Sequence, residues 1–358
     1  MINVTRPFLP PREEYEEMLE GVWKRNWLTN SGPLVKKLEL QLKEYLGVSN
    51  ILYVNNGTTA LQLAIKALDL KGEIITTPFS FIATTSAIIW ESCKPVFADI
   101  DPDTFNIDPA KIEALITDKT TGILATHVYG NPCDIDAIDN IARKHNLKVI
   151  YDAAHCFGTK YKGKSVFEYG DVSTCSFHAT KLFHTIEGGA VFSRDAKLIE
   201  QIELMHNFGF NGPEEFACVG INGKNSEFHA AMGLVNMKRV NELLSVRKSQ
   251  WEHYYKLLKG TVLKHVRFNT GEFNYAYYPV VFETEDHLLK AMDELKANRV
   301  FARRYFYPSL STIQYETMND APVCEEISRR VICLPLYHDL TVEEIVFVAS
   351  VLSKALMD

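Results

Sequence analysis

The chain has 358 residues, of which 46% are hydrophobic, 23% charged and 11% aromatic, a balance that suits one large core plus a smaller appended one and argues against disorder or low complexity. Its net charge of −7 supplies no basic field for a phosphate backbone, so no nucleic acid is expected as a partner, and an anionic small molecule would need a local cationic pocket. The start of the chain carries no basic-then-apolar leader and no apolar run reaches bilayer length, so no membrane association and a cytoplasmic location are expected. Its seven cysteines are scattered without a C-x-x-C pair, which argues against a disulfide framework and a zinc site alike, and no metal is expected.

After a proline-rich start, Glu13 to Trp23 reads as a helix, Asn26 to Pro33 as a turn, and Leu34 to Leu46 as a second helix ending before Gly47. NILYVNN is then a short buried strand, and Gly57, Thr58 and Thr59 lead directly into the helical run ALQLAIKAL. A helix start presents unpaired N–H groups and partial positive charge, and a leading Gly-Thr lets an anion approach closely, so this is a candidate phosphate cup. An ordinary N-cap by Thr58 or Thr59 is the alternative.

Strands and helices alternate from there: Glu73 to Pro78, Ile82 to Glu91, Pro95 to Ile100, Pro109 to Ile116, Gly122 to Val128, Ile135 to His145 and Leu147 to Asp152. This alternation predicts an α/β, doubly wound, mostly parallel sheet with ligands at the carboxyl ends of its strands. Asp152 stands at one such end, where a buried carboxylate needs a partner. A protonated pyridine nitrogen would serve, and so would a helix N-terminus or a salt bridge.

GTKYKGKS, Gly158 to Ser165, matches the phosphate-loop pattern G-x-x-x-x-G-K-[ST], but no helix can follow it through VFEYGDVS, so a hairpin turn is expected instead. Two β-prone runs, Val172 to Phe177 and Gly189 to Phe192, then bracket a polar turn in which Lys181 sits amid His178, Thr180 and His184. A lysine held between buried strands is desolvated toward its neutral, nucleophilic form, the state that makes Schiff bases with carbonyl compounds. A solvated loop lysine is the bland alternative. Helices are expected at Ala196 to His206 and Phe228 to Leu244, the latter closing a large unit, residues 1–244 with an N-terminal arm. Residues 245–358 read as a small α/β unit, with helices at Val246 to Leu258, Asp286 to Asn298 and Val342 to Leu356 and strands near Tyr275 to Phe282 and at Val331 to Leu334.

In order along the chain, WLTNSGP, NNGTTAL, TTPFSFIAT, KPVFADID, THVYGNPCDID, DAAHCFG, SFHATK, EGGAVF, NGKNSEFHAAMG and RRYFYP resemble the pyridoxal-phosphate sugar aminotransferases of the DegT/DnrJ/StrS type. That resemblance implies the type I fold of pyridoxal-phosphate transferases, akin to aspartate aminotransferase, with a seven-stranded sheet in the large domain and a homodimer sharing its active sites. It implies that Lys181 holds pyridoxal 5'-phosphate covalently and shuttles the substrate proton, while Asp152 keeps the ring nitrogen protonated. Gly57, Thr58 and Ser176 match its phosphate cup, Phe81 its stacking aromatic, His155 its ring-hydroxyl neighbour, and Asn222 a residue reaching in from the neighbouring subunit.

Two departures stand out. The usual G-E-G-G is Thr185, Ile186, Glu187, Gly188, Gly189, so the backbone at Ile186 is expected to avoid positive φ. The usual N-Y-R-M is Asn222, Gly223, Lys224, Asn225, and Lys224 keeps the charge without the bidentate fork. LTNSGP, TPFSFIATTSAIIWE and YFYPSL look closest to enzymes that move the amino group of L-glutamate to C4 of a dTDP-linked 4-keto-6-deoxyhexose, giving dTDP-4-amino-4,6-dideoxyglucose for lipopolysaccharide and O-antigen synthesis. Thr29, Ser31, Tyr305 and Tyr307 are then candidates for nucleotide and sugar contacts, with His178 and Lys224 beside the substrate. A surface turn and packed aromatics are the alternatives for the first four. Amination at C3 of a dTDP-3-keto-6-deoxyhexose is the competing reaction, and a non-catalytic protein binding the cofactor or a sugar nucleotide for regulation is the competing class. The dehydratase branch of the family, which replaces the lysine by histidine, is disfavoured by Lys181.

Overall fold

The computed structural model describes residues 1–313 and 319–356. Strands Ile51–Val54, Glu73–Thr76, Lys94–Phe97, Thr120–Thr126, Lys148–Asp152, Val172–Ser176 and Gly189–Phe192 form one seven-stranded sheet. In the order of their first residues it runs 51, 189, 172, 148, 120, 73, 94, and every neighbouring pair is parallel except the two made by Gly189–Phe192. The doubly wound sheet expected from the alternation is therefore present. Its strands are nearly continuous apolar runs because helices cover both faces, with Leu38, Ile138 and Ala230 buried on one side and Leu61, Ile88 and Ile202 on the other.

Several elements differ from expectation. The helix Phe228 to Leu244 is two helices, Glu227–Met237 and Val240–Leu258, the second running unbroken past residue 245. The break falls at Arg239 (φ −120°, ψ 2°), where Lys238 and Arg239 both turn onto the Glu14 carboxylate. Nothing in the helix-forming run MKRVNE signals a pairing with residue 14. Pro109–Ile112 ends early in a 3₁₀ turn, Glu113–Leu115, and a helix not expected at all occupies Pro322–Arg330. Gly158 to Ser165 is the hairpin foreseen: Lys160–Tyr161 pairs with Lys164–Ser165 across Lys162 (φ 50°) and Gly163 (φ 76°). Positive φ at both positions gives the primed turn that matches strand twist.

A second sheet, Lys264–His265, Tyr278–Val281 and Val331–Leu334, is antiparallel and shares a separate apolar core with Tyr254, Leu288, Ile345 and Leu352. The first residues of the chain join it as a strap. Ile2–Asn3 pairs in parallel with Val300–Phe301, Ile2 enters that core, and the Leu336 N–H donates to the Val4 carbonyl at 3.1 Å. No helix among the described residues is long and apolar enough to cross a membrane.

Candidate active site

Where the parallel strands end, a cleft of about 400 Å³ opens, the position a doubly wound sheet dictates for a ligand. It brings together Gly57, Thr58 and Ser176 with Asp152, His155 and Lys181. Phe81, His178 and Tyr305 complete the sequence-derived residues that line it. Thr29, Ser31, Asn222, Lys224 and Tyr307 do not line it. Thr29 and Asn222 are exposed, Tyr307 lies under the Arg304 guanidinium at 3.4 Å, and the Lys224 ammonium sits 4.3 Å from the Phe208 ring centre.

The anion end is built at the start of the Gly57–Ala67 helix. The cap is neither Thr58 nor Thr59 but Asn56, whose Oδ1 accepts from the Thr59 N–H at 2.8 Å. Ala60 donates to the Asn56 carbonyl, which leaves the Gly57 and Thr58 N–H groups without a partner among the described residues. Such a pair at a helix N-terminus attracts an anion. Gly57 is required there because a Cβ would lie 3.0 Å from the Ser176 Cβ.

The opposite end is built around Asp152, 6% exposed. Its Oδ2 accepts from the Thr84 hydroxyl at 2.7 Å and its Oδ1 from the Ala154 N–H at 3.1 Å. Thr84 is held in turn by Ser80 (2.7 Å), and Ser80 by the Thr126 hydroxyl (3.0 Å). Because Thr84 must donate to the carboxylate, all three hydroxyls point their protons toward Asp152. Burial raises the Asp152 carboxyl above its usual range, and Thr84, the Ala154 N–H and Lys181 oppose that rise, so the relay favours the charged form that burial disfavours.

Lys181 follows a tight turn in which its N–H donates to the His178 carbonyl at 2.9 Å. Burial pushes its amine below the usual lysine range, opposed by Asp152, so the nitrogen that enters the cleft is shifted toward its neutral form. His155 is driven well below the ordinary imidazole range by burial and then by Lys181. Its Nδ1 is buried without a hydrogen-bond partner, and its ring stacks on Phe306 at 5.9 Å. A buried, unpaired polar atom lining the cleft marks a place for a ligand group.

Glu187, Tyr277, Arg303 and Phe306 are among the further lining residues that sequence reasoning missed. Arg303 and Phe306 lie in RRYFYP, from which sequence reasoning took Tyr305, which lines the cleft, and Tyr307, which does not. Glu187 reaches His178 at 3.5 Å. The turn before it overturns the expectation for Ile186, which adopts φ 69° despite its β-branched side chain. The flanking side chains hold it there: the Ile186 N–H donates to His184 Nδ1 at 3.1 Å and the Thr185 hydroxyl to the Glu187 carbonyl at 2.8 Å. Among the described residues no group of three or more His, Cys, Asp and Glu side chains could hold a metal ion.

Comparison with known proteins agrees with this geometry. The chain is 42% identical over 362 residues to a dTDP-4-amino-4,6-dideoxy-D-glucose transaminase of Shigella dysenteriae, covering 99% of this chain and 98% of that protein. It is 41% identical to the enzyme of the same name from Escherichia coli, with 98% of each chain covered. Among solved structures, DesI crystallised with its TDP-sugar product superposes with a TM-score of 0.93 at 33% identity, over 98% of this chain and 92% of that one. Residues 11–353 match the DegT/DnrJ/EryC1/StrS aminotransferase family, and the chain belongs to that family of transaminases.

Proposed function

We propose that the protein transfers the amino group of L-glutamate to C4 of dTDP-4-keto-6-deoxyglucose, forming dTDP-4-amino-4,6-dideoxyglucose for surface polysaccharide. The observation that carries this reading is a buried Lys181 amine, shifted toward its neutral form, in the same cleft as an Asp152 carboxylate that accepts from Thr84, the first of three linked hydroxyls. Relatives bearing that activity in their names, at 41% and 42% identity, support the choice of sugar.

The residues present fit pyridoxal 5'-phosphate. The free N–H groups of Gly57 and Thr58, with the Ser176 hydroxyl beside them, suit a phosphate. Asp152 suits a protonated ring nitrogen, the open Nδ1 of His155 suits a ring hydroxyl, and Phe81 offers a ring face. Bound there, the cofactor supplies an electron sink for the carbanion formed at the amino donor. Lys181 Nζ is the attachment point and, when released, the base that removes the proton from the donor's α-carbon and returns it on the other side of the transfer. Thr84, Ser80 and Thr126 keep Asp152 ionised, and Phe306 and Tyr277 hold the His155 ring in place and keep water from it.

The remaining roles complete the reading. His178 and Tyr305 face the sugar from within the cleft. Asn222, Lys224, Thr29 and Ser31, which lie outside it, act in a homodimer in which each subunit completes its neighbour's site, and Tyr307 lies at the rim. Residues 1–244 are taken as the large unit and 245–358 as the small one, a division that falls within the helix Val240–Leu258. Seven free cysteines, six of them buried, suit a cytoplasmic enzyme.

Absorption spectroscopy tests the reading. Protein supplied with cofactor should be yellow and should bleach on addition of L-glutamate, and borohydride should abolish the colour of the untreated holoprotein while fixing the cofactor irreversibly to Lys181. A colourless wild-type protein would refute it. NMR of the product made from the 4-keto sugar should place nitrogen on C4; nitrogen on C3 would instead identify the competing regiochemistry.

A further inference from the structure

Ile186, one of the two departures read from the sequence, bears a backbone conformation that β-branched side chains disfavour, φ 69°. The loop that carries it runs from Phe177 to Gly188, closed at its base by Phe177 N–H to the Gly188 carbonyl (2.8 Å) and Thr185 N–H to the Phe177 carbonyl (2.9 Å). His178 and Lys181 lie on its outgoing limb and Glu187 on its return. The turn at Ile186 therefore decides where Glu187 stands relative to His178 and the reactive amine. Gly188 follows, at a place no side chain can occupy as the turn stands, since a Cβ there would lie 2.0 Å from the Thr185 hydroxyl.

His184, 2% exposed, is bonded on both sides of its ring. Nδ1 faces the Ile186 N–H at 3.1 Å, and Nε2 faces the Phe8 carbonyl at 2.7 Å. An N–H can only donate and a carbonyl only accept, so the two partners together select one neutral tautomer, with the proton on Nε2. Asn236 fixes the residue from behind, its amide donating to the His184 carbonyl at 2.9 Å. Phe8 belongs to the N-terminal strap, which is anchored beyond it by an ion pair between Arg6 and Asp339 at 2.6 Å and reaches the Thr180 carbonyl through the Thr5 hydroxyl at 3.4 Å.

We propose that His184 is a positioning residue that pins the left-handed turn at Ile186 to the N-terminal strap, and so sets Glu187 and the loop of Lys181 in the cleft. It deepens the aminotransferase reading and rests on Lys181 being the reactive amine. Glycine in place of Ile186 would take the same φ unaided, so a chain with glycine there has no need of the Nδ1 acceptor. This dependence separates positioning from mere packing.

Two conservative variants divide the two bonds. His184→Gln keeps an amide N–H near the place of Nε2 and loses the acceptor at Nδ1; His184→Asn keeps an oxygen near Nδ1 and loses the bond to Phe8. The expected result for His184→Gln is a kcat about 10- to 100-fold lower, the cost of a misplaced loop, with the KM for the keto sugar little changed and the strap cut by protease no faster than in wild type. Adding Ile186→Gly to it should bring kcat back to within about threefold of Ile186→Gly alone, because the glycine supplies the turn. His184→Asn should hold kcat within about threefold, since the turn keeps its acceptor, while residues 1–10 become markedly faster to cleave. No rescue by Ile186→Gly, or the same kcat and cleavage pattern in the Asn and Gln variants, would overturn the proposal. Strap cleavage is read in cofactor-free protein as well, so it tests the His184 link even if wild type proves colourless. The Asn arm decides the matter if His184→Gln does not accumulate.

Discussion

Thr84→Val removes the hydroxyl that joins Asp152 to the relay while keeping the shape of the side chain. Thr84 is fully buried and its bond to Asp152 Oδ2 is 2.7 Å long, so its loss costs the carboxylate about 1.5–3 kcal/mol. At about 1.4 kcal/mol per pKa unit, the Asp152 carboxyl rises by about one to two units. The shift adds to the rise that burial already imposes, and Ser80 loses its acceptor as well. A destabilised, more basic carboxylate takes a larger share of the proton it should leave on the ring nitrogen, so kcat/KM for L-glutamate should fall by about 10- to 100-fold. Thr84→Ser restores the hydroxyl and should stay within about threefold of wild type. The assay is the glutamate half-reaction followed by absorbance at saturating cofactor, with cofactor affinity measured in parallel. A valine variant within twofold of wild type, or a serine variant as impaired as valine, would refute the claim that the relay keeps Asp152 ionised.

Gly57→Ala places a Cβ 3.0 Å from Ser176 at the mouth of the anion site, and cofactor Kd, measured by fluorescence quenching, should rise by about tenfold or more with the fold intact. Glu39 accepts from the Tyr53 N–H at 2.8 Å, and burial raises its carboxyl to about 7. A raised folded-state value means its contribution is fully present below the unfolded value of 4.5 and is lost as pH climbs through 7. Glu39→Gln, which keeps the acceptor and never ionises, should therefore match wild type near the lower value and gain on it by pH 8 in denaturant unfolding; a constant difference across that range would contradict the assignment. Glu227, fully buried, accepts from the Leu34 and Val35 N–H groups at 2.9 Å each and so caps the Pro33–Leu46 helix. Glu227→Ala should cost about 1–3 kcal/mol for each orphaned N–H, read as a lower urea midpoint.

The alternation of strands and helices was legible because a covered parallel sheet demands unbroken apolar runs and its crossover helices demand a different period. Lys181 and Asp152 were legible for a related reason: each is an ionisable group at the edge of an apolar run, where an unpaired charge is expensive. What could not be read is whatever depends on two distant segments arriving at one place. Ser80, Thr84 and Thr126 are unremarkable hydroxyls in TTPFSFIAT and THV, and they align only because the Glu73–Thr76 and Thr120–Thr126 strands are neighbours whose ends meet near Asp152. At the helix break, Arg239 pairs with Glu14, more than two hundred residues earlier. Ile186 was misjudged on intrinsic preference: the rule that β-branched residues avoid positive φ is sound, but His184 and Thr185 outweigh it with bonds that no local pattern discloses.

The three titratable groups at the centre of the cleft share one physical condition. Burial is the largest influence on each, raising Asp152 and lowering Lys181 and His155, so in every case it favours the neutral form. A site left to burial alone would hold a protonated acid, a free amine and an imidazole with an unmatched nitrogen. The amine is the only one of the three whose neutral form the chemistry needs, and Lys181 has no hydrogen-bond donor aimed at its nitrogen among the described residues. Asp152 is needed charged, and it is the group to which the fold commits two donors and a chain of hydroxyls. His155 is left with an open Nδ1, satisfied only when a ligand group arrives. Thus the same desolvation activates the lysine and threatens the aspartate, and the relay from Thr126 to Thr84 lets one cleft keep both in the forms that amino transfer requires.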